Sequence, residues 1–293
     1  MNHHGFCLGN DGYYFTSGKI PYGNGQEYKK FLADYQTTWY NLAKEFREVD
    51  FWEIHNESNS DTFLKKLDGN LFSQKEKAIV FADMMFYASQ GIHNANPKAT
   101  TVMGGLVAYF EDYAPDKLTT DFLQYIYDYV YSGSAPSKYP DDYFQVVAWH
   151  PYFFSNYEDS FFEEYNKNLY GVILKNERKD KKVFFTEYGW NLKETTYENI
   201  EKWLPKFIKT TAEKLTFVES IHFFRMYDVL CGTWGGEGEK THGLFTDPEH
   251  YETLDGRYKH EKLGYPKSTA FIMQKLAGGN GKIDNFEQLK GLI

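Results

Sequence analysis

Cysteine is nearly absent from this chain. Two occur in 293 residues, Cys7 and Cys231, which excludes a disulfide framework as the source of stability and leaves room for one bridge at most. No stretch approaches the roughly 20 apolar residues needed to span a bilayer. The first residues also lack a charged segment followed by an apolar one, so the chain reads as carrying no export signal: cytoplasmic as written, secreted if a segment precedes it. Positive charge is short as well. Lys and Arg number 32 against 41 Asp and Glu, a formal net charge of -9, and the largest basic cluster is the run 178–182, which has an aspartate inside it. Neither nucleic acid nor a membrane is expected as a partner. No Gly-x-Gly-x-x-Gly opens a helix after the first strand and no Gly-Lys-Ser/Thr loop occurs, which argues against a nucleotide-binding sheet. His3-His4 has no companion ligand at helical or finger-like spacing, so no metal is expected, and no cofactor is implied.

Aromatic residues, by contrast, are abundant. They make up 19% of the chain, with 25 Tyr, 25 Phe and 6 Trp, more than a core requires. Rings stack on the apolar C–H faces of sugars, so the excess suits a carbohydrate cleft, and filling the core is the plainer alternative.

No Ser/Gly/Pro-rich linker divides residues 1–293, and one domain is expected. Apolar spacing predicts helices over 27–46, 75–91, 121–131, 159–176, 198–214 and 266–276. Between them lie apolar runs predicted as strands: one leading to Glu57, then 101–107, 144–152, 182–187 and 217–226. A glycine-rich loop with Gly232, Gly235, Gly236 and Gly238 follows. Strands alternating with helices imply a parallel sheet buried on both faces, either an eight-fold barrel or an open doubly wound sheet. Without a nucleotide fingerprint the barrel leads.

Two of these strands end alike, in a glutamate: Phe51-Trp-Glu-Ile-His-Asn-Glu57 and Val183-Phe-Phe-Thr-Glu187. Each carboxylate follows β-branched and aromatic residues and precedes turn-forming ones, which puts it at the C-terminal mouth of a buried strand, where barrels gather their pockets. Two carboxylates facing across a pocket can cleave a glycosidic bond, one protonating the leaving oxygen while the other attacks or activates water.

At Trp52-Glu-Ile-His-Asn-Glu57 the chain resembles the clan A retaining glycoside hydrolases, whose fourth strand ends in Trp-Glu-x-x-Asn-Glu-Pro. Phe185-Thr-Glu187-Tyr-Gly-Trp190 resembles their seventh-strand motif, and Trp149-His150-Pro151-Tyr152 is similar to their sixth-strand His-x-Tyr pattern. Gly243-Leu244-Phe245 and Tyr265-Pro266-Lys267-Ser268 are similar to the stretch after strand eight. Families 39 and 5, the xylosidase and endoglucanase branches, look nearest. The resemblance implies a (β/α)8 barrel and makes Glu57 the acid/base, its pKa raised toward about 6 by burial. Glu187 becomes the nucleophile, kept ionised by polar neighbours, with Tyr152 as its hydrogen-bond donor. Asn56 would bond a sugar 2-OH. His150 either shapes the subsite or is a buried histidine on a backbone carbonyl. Trp190 and Trp234 are either sugar platforms or packing under a loop, and Tyr13, Tyr14 and Phe15 resemble an aromatic rim. His55 and His222 are expected to be structural.

Two departures stand out. Ser58 replaces the family's proline, which is expected to loosen the turn after the acid. If Glu57 closes strand four, strand three falls at 5–10 and the first two βα units, at roughly 30 residues each, have nowhere to lie. The expected fold is therefore a barrel lacking those units. The expected activity is β-glycoside hydrolysis on an oligo- or polysaccharide. The alternative is a catalytically impaired carbohydrate-binding relic or a truncated fragment, with a homo-oligomer covering the open side.

Overall fold

The computed structural model describes residues 19–23, 25–109, 117–152, 157–190, 195–224, 250–252 and 258–260, together with 267, 269, 270, 272 and 273. The expectations for Cys7, Cys231, Tyr13, Tyr14, Phe15, Trp234, the strand at 5–10, the glycine-rich loop and Gly243-Leu244-Phe245 lie outside the described residues. In chain order the elements are β1 (Lys19–Ile20), α1 (Gly25–Glu45), β2 (Phe51–Ile54), β3 (Lys65–Lys66), α2 (Gln74–Ala95), β4 (Thr100–Met103), β5 (Leu106–Tyr109) and α3 (Lys117–Val130). They continue with β6 (Val146–Tyr152), α4 (Asp159–Glu177), β7 (Lys182–Tyr188), α5 (Tyr197–Lys214), β8 (Val218–Phe223), β9 (His250–Glu252) and β10 (Tyr258–His260).

The main sheet is parallel and runs β2-β4-β6-β7-β8, with β5 continuing alongside β6. Strand order follows chain order without reversal. A doubly wound sheet reverses at a switch point, so this order belongs to a barrel. The protein is an α/β fold of the (β/α)8-barrel type, incomplete among the described residues. Among the described residues, β2 and β8 have no further strand on their outer sides. The short pairs β1–β3 and β9–β10 stand apart from the sheet.

The period of two decides which face each residue takes. In β6 every residue is buried: Val147 and Trp149 join the large core under the helices, whereas Val146 and Ala148 meet Val102 and Phe184 in a small cluster on the inner face. The helices close the outer face. In α1, Phe31, Tyr35 and Trp39 recur at four-residue spacing and are buried, and Trp39 meets Trp52 of β2 edge-on at 6.0 Å. Burying such rings contributes on the order of 1.5–3 kcal/mol each. α2 opens with a capping box, Ser73 and Glu76 each accepting from the other's backbone N–H. Asp83 on α2 accepts hydroxyl bonds from Tyr28 and Tyr129 and so ties α1, α2 and α3 together. The basic run 178–182 is engaged in ion pairs, Lys181 with Glu177 at 2.7 Å and Lys182 with Glu219 at 2.6 Å. No helix of the described residues is long and apolar enough to cross a membrane.

Two sequence expectations change. The single strand predicted over 101–107 is broken at Gly104-Gly105 into β4 and β5. β8 is not buried on both faces. Its residues are half-buried or exposed, because it is an edge of the sheet.

Candidate active site

Glu57 lies three residues beyond β2, not at its end. The turn that carries it holds two non-glycine residues in the left-handed region, His55 at φ 72° and Glu57 at φ 44°. Such conformations cost of order 1–3 kcal/mol each and persist where surrounding contacts impose them. Here those contacts are identifiable. The Glu57 N–H donates to the Gly105 carbonyl at 2.8 Å, the Ser60 N–H to the Glu57 carbonyl at 2.8 Å, and Ser58 Oγ lies 2.8 Å from His55 Nδ1. Ser58 therefore does not loosen the turn: it is buried and tied to His55. Just beyond it, Asn59 bonds both backbone groups of Val107 on β5, as a neighbouring strand would. The buried Lys77 ammonium holds the same loop through Asp61.

Glu187 reaches the inner face by a bulge. β7 and β8 pair at Phe185 with Ile221 and again at Tyr188 with Phe223, so β7 fits two residues where β8 has one. Phe185 and Tyr188 both pack outward on Phe207. Thr186 and Glu187 are left to point inward together.

His150, fully buried on β6, joins the two glutamates. Its Nδ1 is 3.0 Å from Glu57 Oε1 and 3.7 Å from Glu187 Oε2, and its Nε2 is 3.1 Å from Thr186 Oγ1. Both ring nitrogens thus meet side chains, a partnership neither sequence reading of this histidine contained. Tyr152, two residues on and so on the same face, donates its hydroxyl to Glu187 Oε2 at 2.9 Å. The His150 nitrogen and one oxygen from each glutamate lie within 4.8 Å of one another. These atoms could share a cation, at the expense of the His150–Glu57 hydrogen bond. The Glu57 and Glu187 side chains are 12% and 19% exposed, so the pair is accessible from solvent although His150 is not.

The electrostatics follow from this enclosure. Burial is the largest influence on Glu187 and lifts its carboxyl above the ordinary value; the His150 charge pulls it down, Glu57 pushes it up and the Tyr152 hydroxyl pulls it down. Polar neighbours therefore only partly offset burial. For His150, burial disfavours the charged ring, but Glu187, Glu57 and Glu53 together outweigh it and hold the imidazole above its usual pKa.

Asn56 is buried beside Glu57. Trp190 is not a surface platform. Its ring is 2% exposed and packs on Tyr188, Trp203 and Phe207, where its apolar area gains more than it would at a cleft rim. Sequence reasoning overlooked Glu53, Thr186 and the Gly104-Gly105 pair. Two glycines inside an apolar strand were the available signal, since glycine there marks a close approach of another group.

The sequence matches no family model and no curated protein. Among solved structures the chain is similar to a family 2 β-galacturonidase from Eisenbergiella tayi, with TM-score 0.51, 13% identity, and coverage of 91% of this chain and 40% of that one. It is also similar to xylanase XynB from Paenibacillus barcinonensis, with TM-score 0.50, 14% identity, and coverage of 74% and 64%. A psychrophilic family 10 endo-β-1,4-xylanase aligns at TM-score 0.48 and 13% identity, over 75% of this chain and 64% of that one. The chain therefore spans less than two thirds of the length of these structures. The likeness does not single out families 39 and 5. What it shows is the fold alone: a (β/α)8-barrel type of α/β fold, incomplete among the described residues.

Proposed function

We propose that this protein is a retaining glycoside hydrolase acting on β-glycosidic bonds of an oligo- or polysaccharide, with Glu57 as acid/base and Glu187 as nucleophile. One observation carries the reading: carboxylates from two separate strand ends converge on one buried imidazole, with an oxygen of each within 4.8 Å of the other. Retaining enzymes hold their carboxyl groups roughly 5–5.5 Å apart, whereas inverting ones leave about 6.5–9.5 Å for a water. In the first step Glu187 forms a bond to the anomeric carbon as the glycosidic C–O bond breaks, and Glu57 gives its proton to the leaving oxygen. In the second, Glu57 takes a proton from water, whose oxygen displaces Glu187 from the sugar. His150 lies against the Glu57 carboxylate that forms when the proton leaves, and Tyr152 holds one Glu187 oxygen so that the ring meets a fixed nucleophile. Asn56 is the residue we assign to the sugar 2-OH.

A panel of aryl β-glycosides together with a 2-fluoro glycoside tests this. Turnover by the parent, with a covalent sugar mapped to Glu187 by mass spectrometry, is expected. Binding of a glycan without turnover or labelling across the panel would instead favour a binding protein. The unpaired outer sides of β2 and β8 among the described residues support that second reading, because a misplacement of about 1 Å can cost roughly 100-fold in rate. The same edges suit a second copy of the chain as a cover, which sedimentation would reveal as a dimer.

A further inference from the structure

Glu53 has no part in the two-carboxylate mechanism, yet it is the nearest charged residue on the strand that leads to Glu57. Trp52 and Ile54 are completely buried in the outer core, and the alternation of β2 sends Phe51 and Glu53 to the inner face. There Glu53 lines a cavity of about 380 Å³ with Phe184 and Thr186 of β7 and His222 of β8. Its Oε1 accepts the Gly105 N–H at 2.9 Å. The same glycine's carbonyl accepts the Glu57 N–H at 2.8 Å. A β-carbon on Gly105 would lie 2.0 Å from His150 Nε2, so the imidazole rests directly on this residue.

We propose that Glu53 is a positioning residue, which fixes Glu57 and His150 by anchoring the Gly104-Gly105 turn through the Gly105 N–H. The need for an anchor comes from the glycines. Gly104 has no side chain because a β-carbon would meet the Ile54 carbonyl oxygen at 2.3 Å, and Gly105 has none because of His150. Two successive glycines have the widest backbone freedom of any pair, so the turn that must yield space is also the turn least able to hold itself. A carboxylate acceptor makes a stronger bond to an N–H than a neutral one does, and Glu53 supplies it from a paired strand in register with Val102.

The proposal rests on the hydrolase reading for its kinetic readout, and its test keeps the two separable. Glu53→Gln retains an oxygen for the Gly105 N–H, while Glu53→Ala removes it. Glu53→Gln is expected to keep kcat within about threefold, and Glu53→Ala to lose about 30-fold or more in kcat with KM changed less than about threefold. Retention of kcat by the alanine variant, or an equal loss in both variants, overturns the proposal. Imidazole nitrogen shifts of His150 are recorded by NMR on the parent and both variants in parallel, and they need no turnover. Displaced shifts in Glu53→Ala with parent-like shifts in Glu53→Gln support the anchor even if no substrate is cleaved, a result that would sink the hydrolase reading alone. Parent-like His150 shifts in both variants, or displacement in both, overturn the anchor. Should the alanine variant fail to fold, Glu53→Leu replaces it under the same criteria, and displaced shifts in Glu53→Gln alone suffice to reject the idea.

Discussion

Gly105 and His150 are packed so closely that a β-carbon on the glycine would lie 2.0 Å from His150 Nε2 and 2.7 Å from Thr186 Oγ1. His150 cannot retreat without leaving Glu57, which its other nitrogen holds at 3.0 Å. Gly105→Ala is therefore expected to displace the imidazole and lower kcat by about 100-fold, with a stability loss of about 1–3 kcal/mol from overpacking. Aryl glycoside kinetics and urea unfolding measure the two effects. An alanine variant with parental kcat would show that the histidine has room to move.

Tyr152→Phe removes the hydroxyl that Glu187 accepts at 2.9 Å and leaves the ring. That bond lowers a carboxyl pKa which burial has already raised. Its loss raises the Glu187 pKa further, so the acidic limb of the kcat/KM profile moves to higher pH. A pH–rate series on parent and variant reads the shift, and a limb that stays put or moves to lower pH contradicts the assigned hydrogen bond.

The same burial makes Glu187 a liability for stability. Its folded pKa exceeds its unfolded value. A carboxyl raised in this way favours the fold below the unfolded pKa, near 4.3, and that contribution is lost as pH rises through the folded pKa. At pH 7 the buried charge therefore destabilises. Glu187→Gln is expected to raise Tm at pH 7 by about 2 °C while abolishing turnover, with the gain shrinking as the pH is brought down toward 4. A lower Tm in the variant at pH 7 would mean that the His150 and Tyr152 contacts outweigh desolvation.

Asn59 gives both ends of its amide to the buried backbone of Val107. Asn59→Ala leaves the Val107 N–H without its acceptor, which costs about 1–3 kcal/mol, and frees the segment that follows Glu57. The expected result is a lower urea midpoint together with a lower kcat. Unchanged stability would show that the loop is held by Lys77 and the Gly105 bond alone.

Much of this protein was legible in one dimension, for physical reasons. The helix over 27–46 and the strand that follows it were readable because burial on one face forces the period of 3.6 or of two into the residue order, as Phe31, Tyr35, Trp39 and Trp52 do here. Turn-forming residues after apolar runs set Glu57 and Glu187 at strand mouths, and the alternation of elements pointed to a parallel barrel type. Chemistry carried by residue type, such as a carboxylate in Asn-Glu context, was also present in the order itself.

Tertiary structure decided the remainder, because those features depend on what packs against a residue and not on its neighbours in sequence. Trp190 reads equally as a sugar platform or as packing under a loop, and only the presence of Trp203 and Phe207 behind it makes it core. The inward turn of Glu187 arises from a bulge, which exists only as a mismatch in count between β7 and β8. Gly104-Gly105 passes unremarked inside the strand predicted over 101–107, and its role emerges only once Ile54, Glu53 and His150 are placed against it. The residue order determined which groups could react and which strand ends would present them. The distances between Glu57, His150 and Glu187 were decided by packing across separate strands, the only interaction that brings residues so far apart in the chain to within hydrogen-bond range.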